Sequence, residues 1–334
     1  MLPRILASLL ACTVALSWEG AAANEAECTF GEKVIRFSHV TTPVGHPKGR
    51  AAAALAERVN AEFQGDLCMI VHPNAELYSD NEELWAAMRR GDVQMAAPSL
   101  AKLSGFAKGF QVFDLPFMFR DMIHVIDFTY SDPAQDLLKS FDDKGLTGLA
   151  YWMNGMRQLS ANRPLAGPGD IRGLTFRIQG SPVERAYYDL LGATAQKMAF
   201  SEVYGALESG AIDGQENSWS NIYTKKFYTQ QHSINETNHS VIAYALVVST
   251  DFWQALDPDL SARLDRVIQE VTHEYNGFAF QLDEVNRAKV IESDTPVRRI
   301  RADEIRDWRE TLLPVWDKFA AEIGDDLISA ASAN

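Results

Sequence analysis

Strand and helix patterns alternate between residues 32 and 97, and this alternation constrains the fold more than any other feature. The strand-like stretch EKVIRFSHV precedes the amphipathic segment HPKGRAAAALAERVNAEF, and the strand-like DLCMIVHP follows it. The helix-like NEELWAAMRRG and the short strand DVQMAA complete the series. Such alternation implies parallel strands with right-handed crossovers, so the sequence predicts an α/β fold. In open sheets of this kind, ligands bind beyond the carboxyl ends of the strands.

A second series of strand and helix patterns follows the first and includes LTFRIQ and SPVERAYYDLLG. The apolar strand near residues 241–250 is expected to return the chain to the first domain. From residue 257, apolar residues keep helical spacing for about 36 residues, or roughly 54 Å, which is too long for one small domain. We therefore predict two α/β domains, a helix that spans both, and C-terminal helices, at residues 24–150, 151–240 and 251–334.

The first 23 residues have the layout of a secretory signal peptide. Arg4 precedes an apolar stretch from Ile5 to Trp18, and the alanines at 21–23 predict cleavage after Ala23. An N-terminal membrane anchor is the alternative. No later apolar stretch approaches the roughly 20 residues that a spanning helix needs, so we expect an exported protein without stable membrane insertion.

Two cysteines, Cys28 and Cys68, remain after the predicted signal peptide. Cys28 lies just before one predicted strand and Cys68 opens the next, so neighbouring parallel strands would bring them together. In an oxidising compartment such a pair is a candidate for a disulfide, and two buried free thiols are the alternative.

Residues 82–99 and 201–218 align without a gap. Each segment contains a helix pattern, a glycine that ends it (Gly91 or Gly210), a β-branched strand start and a polar loop. Two similar domains that face each other would present both loops to one cleft. Chance similarity between two helix–glycine–strand units is the alternative.

The sequence signatures of enzymes are absent. The chain has no nucleophile elbow, dinucleotide fingerprint or Walker loop, and its seven histidines lack close metal-ligand spacing. We therefore predict no catalysis, no metal and no cofactor, and a secreted hydrolase or lyase is the alternative from another class. The net charge of −14 argues against nucleic acid as a partner and makes any anion site depend on specific cations.

An arginine lies in the middle of the apolar strand LTFRIQ, where period-two alternation places Thr175, Arg177 and Gln179 on one face. A buried unpaired charge is very costly, so Arg177 requires an anionic partner. That partner is either a protein carboxylate or the carboxylate of a ligand held by two parallel hydrogen bonds. Arg157, in NGMRQLS, raises the same question.

The chain also contains the longer motifs IRFSHVTTPVGHPKG, ELYSDNEELWAAMRRGDVQMAAPSLAK, GLTFRIQGSP, LGATAQKMAFSEVYGALESGAIDGQENSWSNIY and NHSVIAYALVVSTDFW. These motifs resemble the solute-binding proteins of tripartite ATP-independent periplasmic (TRAP) transporters, and most of all their C4-dicarboxylate-binding branch. The resemblance implies a periplasmic-binding-protein-like fold, with two α/β domains around a cleft and a long domain-spanning helix. It also implies a periplasmic receptor that closes on succinate, malate or fumarate and delivers it to the TRAP membrane subunits.

The resemblance also implies roles for single residues. Arg177 matches the arginine that holds the ligand carboxylate, Arg157 matches a second cationic contact, and Asn217 matches an amide contact. Phe200 matches an aromatic residue that lines the site. Two further residues, Trp219 and Tyr244, are expected to shape the pocket wall.

In the opposite domain, cleft-facing loops are expected to hold a second carboxylate through Lys48, Ser99 and Lys102. The alternative for both lysines is an ordinary solvated surface position. A sugar acid or another monocarboxylate is the rival ligand, and a ligand-sensing subunit of a signalling receptor is the rival role.

Overall fold

The computed structural model describes residues 28–29, 31–79 and 81–333. The predicted signal peptide and its cleavage site after Ala23 lie outside these residues. Within the described residues, no helix combines the length and apolar character that crossing a bilayer requires.

The described chain folds into an alternation of short strands and helices. The strands are β1 (Lys33–Ser38), β2 (Leu67–His72), β3 (Met95–Ala96), β4 (Leu146–Met156), β5 (Gln158–Ala161), β6 (Thr175–Ile178), β7 (Thr194–Lys197), β8 (Gly214–Asn217), β9 (Ser233–Glu236), β10 (Val241–Ser249) and β11 (Val297–Arg299). The helices are α1 (Pro47–Glu62), α2 (Asn81–Arg90), α3 (Met122–Thr129), α4 (Asp132–Leu138), α5 (Pro182–Leu190), α6 (Val203–Glu208), α7 (Trp219–Thr224), α8 (Thr250–Gln254), α9 (Pro258–Ile291), α10 (Ala302–Leu312), α11 (Pro314–Ile323) and α12 (Asp325–Ser332). Short 3-10 turns lie at Leu100–Lys102, Lys108–Asp114, Lys139–Lys144, Pro168–Ile171, Phe200–Glu202 and Phe227–Gln230.

The first sheet has the strand order β2-β1-β3-β10-β4. The strand β1 pairs in parallel with β2 and β3, as the alternation of strands and helices predicts, whereas β10 is antiparallel to both β3 and β4. The sheet and the elements packed on it form the first lobe. The predicted domain boundary at residue 150 falls inside β4, whereas the whole of β4 belongs to the first sheet. That strand is buried along most of its length, so its residues fit the interior of either sheet and do not mark the boundary.

The second sheet has the order β11-β9-β5-β8-β6-β7 and forms the core of the second lobe. The strand β6 is parallel to β7 and β8, and β5 is antiparallel to β8 and β9. The predicted fold class, two α/β units, is therefore confirmed.

Two crossing segments and one long helix connect the lobes. The chain leaves the first sheet at residue 157, between β4 and β5, and returns through residues 237–240, between β9 and β10. The helix α9 continues without interruption through Gly277 and packs against α1 and β4 of the first lobe and against α7 of the second. The predicted spanning helix is present.

A disulfide joins Cys28 to Cys68, with 5.6 Å between the two Cα atoms. The adjacent strands β1 and β2 bring the two cysteines together, since Val34 lies opposite Cys68 in the parallel ladder. The bond therefore attaches the N-terminal end of the described chain to the first sheet.

Candidate functional site

A cavity of about 570 Å³, part of it open to solvent, lies between the two lobes. Residues at the carboxyl ends of β1 and β3 form one side, and residues at the ends of β6 and β8 form the other. Ligands bind at this position in open α/β sheets. None of the described side chains that line the cavity is acidic, and its polar lining consists of Ser38, His39, Thr41, Lys48, Tyr78, Asn81, Ser99, Lys102, Gln179, Asn217, Asn221 and Tyr244.

Lys48 is a buried cation in the wall of this cavity. It lies in the first turn of α1, which begins at Pro47 after the N-cap His46. Only 2% of Lys48 is exposed, so the alternative of a solvated surface lysine does not apply. Its Nζ donates to the carbonyl of Ala97 at 3.0 Å and lies 3.8 Å from the centre of the Tyr244 ring. Within the described chain it forms no salt bridge, and burial together with the neighbouring Lys102 lowers its pKa well below the usual value.

Arg177 is the corresponding buried cation of the second lobe. Its Nε and Nη2 donate to the carbonyl of Met198 at 3.2 and 3.1 Å, and its guanidinium lies 5.9 Å from the Phe200 ring. The residue is 1% exposed and has no salt bridge to any described carboxylate. Burial lowers the pKa of Arg177 to about 10, so the guanidinium stays charged at neutral pH.

The structure places Arg177 behind the cavity surface and not in its lining. Two residues that do line the cavity are its immediate neighbours: Phe200, which it contacts, and Gln179, on the same face of the strand.

Arg157 does not belong to the cavity, which corrects its expected role as a second cationic ligand contact. Its Nη2 donates to Asp114 at 2.7 Å, and its Nη1 bonds to the carboxylates of Glu184 and Glu216. The guanidinium is 1% exposed and is neutralised within the protein. The sequence left two possible partners for Arg157, a protein carboxylate or a ligand carboxylate. In the structure its partners are protein carboxylates.

The ion cluster around Arg157 supports the cavity wall indirectly. Glu184 also accepts hydrogen bonds from the backbone N–H groups of Gln179, Gly180 and Ser181, at 2.9, 2.9 and 3.2 Å. Arg157 therefore fixes Glu184, and Glu184 fixes the loop that carries Gln179.

Trp219 is also displaced from its expected place in the pocket wall. It lines a separate depression, where the Arg287 guanidinium lies 6.0 Å from its ring. The reason is helical geometry. Trp219 and Asn221 are two residues apart in α7, so they point about 200° apart around the helix axis, and Asn221 is the one that lines the cavity.

Six predicted site residues do line the cavity together: Lys48, Ser99, Lys102, Phe200, Asn217 and Tyr244. In this group, Asn217 lies at the end of β8 and Tyr244 lies in β10. The structure thus brings together residues from both of the polar loops that align in the sequence.

A chain of amide hydrogen bonds connects the lobes beside the cavity. Asn221 donates to Asn217 at 2.6 Å, and the Asn221 side-chain oxygen lies 2.7 Å from the Nε2 of His46 in the first lobe. Because the Nδ1 of His46 accepts from the backbone N–H of Lys48, its Nε2 carries the proton and donates to Asn221. Burial lowers the pKa of His46 to about 3, so the ring remains neutral.

Two buried polar side chains in the cavity wall, His39 and Gln179, were not predicted as site residues from the sequence. The Nε2 atoms of both side chains have no hydrogen-bond partner among the described residues. The Nδ1 of His39 lies 3.0 Å from the hydroxyl of Thr41, and burial lowers the pKa of His39 well below its usual value. A signal existed for both, since His39 follows β1 directly and Gln179 shares the strand face of Arg177.

The site therefore offers basic side chains from the first lobe and hydrogen-bond donors from both lobes, with Arg177 of the second lobe behind its wall, and the described lining contains no competing carboxylate. Buried donors and cations are costly when they lack partners, so this arrangement suits a ligand with anionic acceptors at both ends. No group of described residues could hold a metal ion.

Comparison with known proteins agrees with this geometry. The family model for the bacterial extracellular solute-binding proteins, family 7, matches residues 37–323. The C4-dicarboxylate-binding periplasmic protein DctP of Vibrio cholerae is 44% identical over 98% of this chain and 97% of its own length.

Several solved structures have the same fold. A TRAP periplasmic solute-binding protein from Shewanella oneidensis with bound succinate has a TM-score of 0.87 and 41% identity, covering 90% of this chain and 98% of its own. A second, from Pseudomonas aeruginosa with bound L-malate, has a TM-score of 0.83 and 37% identity, covering 85% and 99%. The sugar acid-binding protein of Advenella mimigardefordensis, in complex with galactonate, has a TM-score of 0.85 and 28% identity, covering 90% and 98%.

Proposed function

The chain belongs to family 7 of the bacterial extracellular solute-binding proteins, and on that premise we propose that it binds a C4-dicarboxylate such as succinate or malate between its lobes. Members of this family are substrate-binding receptors of TRAP transporters and not enzymes. We infer that this chain acts in the periplasm and delivers its ligand to the membrane subunits of such a transporter.

The observation that carries the proposal is a pair of buried basic side chains without carboxylate partners among the described residues, one in the cavity wall and one behind it. Lys48 belongs to the first lobe and Arg177 to the second, and each bonds to a backbone carbonyl. A dicarboxylate would supply one anionic group to each. Charged hydrogen bonds contribute about 1.5–3 kcal/mol each, so three or four of them, less ordering costs, give roughly micromolar affinity.

Ligand capture would proceed by closure of the two lobes. The hydrogen bond between His46 and Asn221 crosses the cleft, and the ligand would add contacts to both sides in the same closed state. A ligand shifts the open–closed equilibrium only by its difference in affinity for the two states. A molecule that bridges both lobes binds the closed state more tightly than the open state, because only the closed state lets it contact both lobes at once.

Arg177→Ala tests the proposal. We expect a loss of succinate affinity of at least about 100-fold in isothermal titration calorimetry, because the ligand carboxylate would be buried without its charged partner. Arg177→Lys should recover only part of the affinity, since an ammonium cannot donate two parallel bonds.

Arg266→Ala is the matched control, because Arg266 is exposed on α9 and does not line the cavity. A melting temperature measured for each variant separates lost binding from lost folding. Unchanged succinate affinity in a folded Arg177→Ala protein would contradict the proposal.

A sugar acid is the second candidate ligand, and the Nε2 atoms of His39 and Gln179, which have no partner among the described residues, are the observation that favours it. The same arginine would hold the single carboxylate, and sugar hydroxyls, which both donate and accept, would bond to these two nitrogens. A thermal-shift screen of C4-dicarboxylates against uronates and aldonates distinguishes the two, because a ligand at 100 times its Kd stabilises the protein by about 2.7 kcal/mol.

A further inference from the structure

A second depression lies beside the crossing segment of residues 237–240, on a different surface from the cavity between the lobes. It encloses about 1260 Å³, including space open to solvent, and shares no lining residue with the cavity. Its walls include Arg120, Arg287, Arg299 and Arg309. We propose that this arginine pocket binds a small organic polyanion, such as a polycarboxylate or a phosphorylated compound.

The charge balance of the arginine pocket carries the proposal. Its lining has four guanidinium groups and two carboxylates, those of Glu236 and Glu284. Both carboxylates pair with Arg287, at 2.5 Å from its Nε and 3.7 Å from its Nη1. Within the described chain the other three arginines form no salt bridge, although the chain has 45 acidic and only 31 basic residues. An excess of two positive charges therefore faces one concave surface.

The three unpaired arginines come from separate elements that converge on the pocket. Arg120 precedes α3, which packs on the first sheet. Arg299 ends β11, which pairs with β9 of the second sheet, and Arg309 lies on α10. A ligand that contacts Arg120 and Arg299 together would therefore touch both lobes.

Aromatic side chains orient the charged groups. The Arg309 guanidinium lies 5.6 Å from the Phe117 ring, and the Arg287 guanidinium lies 6.0 Å from the Trp219 ring. Glu236 and Glu284 already pair with Arg287, whereas contact with a ring face leaves the N–H edges of the Arg309 guanidinium free to donate. Those edges hold a carboxylate or a phosphate through two parallel hydrogen bonds, which is the chemistry that defines the ligand class.

The arginine pocket and the ligand cavity are lined by residues that are neighbours in the sequence, but the two sites are separate in space. Asn217 lines the cavity and Trp219 lines the arginine pocket, and the turn between them separates the two sites. The arginine pocket therefore does not depend on which ligand the cavity takes.

Calorimetry with citrate and inorganic pyrophosphate as probes tests the inference, using four proteins: the unaltered chain, Arg299→Ala/Arg309→Ala, Arg306→Ala and Arg177→Ala. Arg306 is exposed on α10 outside the pocket and is the matched control. We expect a Kd below about 1 mM for at least one probe, weakened at least about tenfold in the double variant only. Binding should also weaken as sodium chloride is raised, because the arginines are exposed.

Succinate titrations of the same proteins keep this inference separate from the proposed function. The double variant should bind succinate normally, and Arg177→Ala should bind the probes normally. No measurable probe binding to the unaltered chain would overturn the inference. Probe binding that is lost in Arg177→Ala, or that survives in the double variant, would also overturn it by placing the probes elsewhere.

Discussion

Asp283 of α9 is a buried acid directly beneath the site. Its Oδ1 accepts the backbone N–H of Ser220 at 2.6 Å, in the first turn of the helix that carries Asn221. A methyl group on Gly155 of β4 would lie 2.2 Å from the Asp283 Oδ2, so the strand can approach only because this residue is glycine. Burial raises the pKa of Asp283 from 3.8 to about 7, although the bond from Ser220 opposes the rise.

We expect Asp283→Asn to stabilise the protein more at pH 8 than at pH 5. A carboxyl whose pKa rises on folding favours the folded state at low pH, and that contribution disappears as the pH rises toward 7. One pH unit corresponds to about 1.4 kcal/mol, so the advantage of the variant should grow by up to roughly 3 kcal/mol. Asparagine keeps the acceptor for Ser220.

Urea denaturation at the two pH values measures this difference. Asp317→Asn, at an exposed position on α11, is the control and should show no such growth. An advantage of the same size at pH 5 and pH 8 would mean that Asp283 does not titrate in this range.

Two arginines show how far the site could be predicted from sequence. Strand alternation correctly indicated that Arg177 shares a face with Gln179, because that rule is local. The fate of Arg157 depends on Asp114, Glu184 and Glu216, which are 43, 27 and 59 residues away in the chain. No local pattern reports such partners, so only the tertiary structure distinguishes the two arginines.

The strand β2 is attached to the N-terminal end of the described chain by the disulfide between Cys28 and Cys68. The bond lies near the start of β2, whereas the ligand cavity lies beyond the opposite, carboxyl ends of the strands of this sheet. It closes a loop of 40 residues, which corresponds to about 4 kcal/mol in the chain-entropy account. The disulfide should therefore affect stability and not binding.

We expect the variant Cys28→Ser/Cys68→Ser to lose roughly 2–4 kcal/mol in the free energy of unfolding while its succinate affinity stays unchanged. Denaturant titration and calorimetry measure the two quantities. The unaltered protein treated with a reducing agent should show the same loss. A large change in succinate affinity would instead indicate that the disulfide positions the cavity.

Elements differed in how well the sequence predicted them. The series from β1 to β3 was clear because its strands are short, apolar and separated by amphipathic helices, and α9 was clear because its spacing persists over 34 residues. The sequence did not indicate the lobe to which β4 belongs. Only its pairing with β10, through backbone hydrogen bonds between distant segments, decides that.

At the scale of the whole molecule, the bond between His46 and Asn221 should favour the closed state. His46→Asn keeps an acceptor for the backbone N–H of Lys48, so the start of α1 remains capped, but the shorter side chain does not reach Asn221. A hydrogen bond of this kind is worth about 1 kcal/mol, so we expect succinate affinity to fall about fivefold.

Small-angle X-ray scattering measures closure directly. Succinate should reduce the radius of gyration of the unaltered protein, and His46→Asn should need more succinate for the same change. His232→Asn, at an exposed position, is the control. If His46→Asn binds succinate as tightly as the unaltered protein does, the bond between the lobes contributes nothing to closure.

The insertion of β10 between β3 and β4 has a consequence for how the protein is made. Until residue 249 has emerged, the first sheet consists of two separate parts with unpaired edges facing each other, although most of its strands were synthesised long before. Unpaired strand edges invite aggregation, and domains normally fold in order from the N-terminus. This lobe cannot follow that order. A pause in synthesis or export before β10 would leave an aggregation-prone intermediate. The yield of folded protein should therefore depend on chaperones that bind unfolded chains, even if the native state is stable.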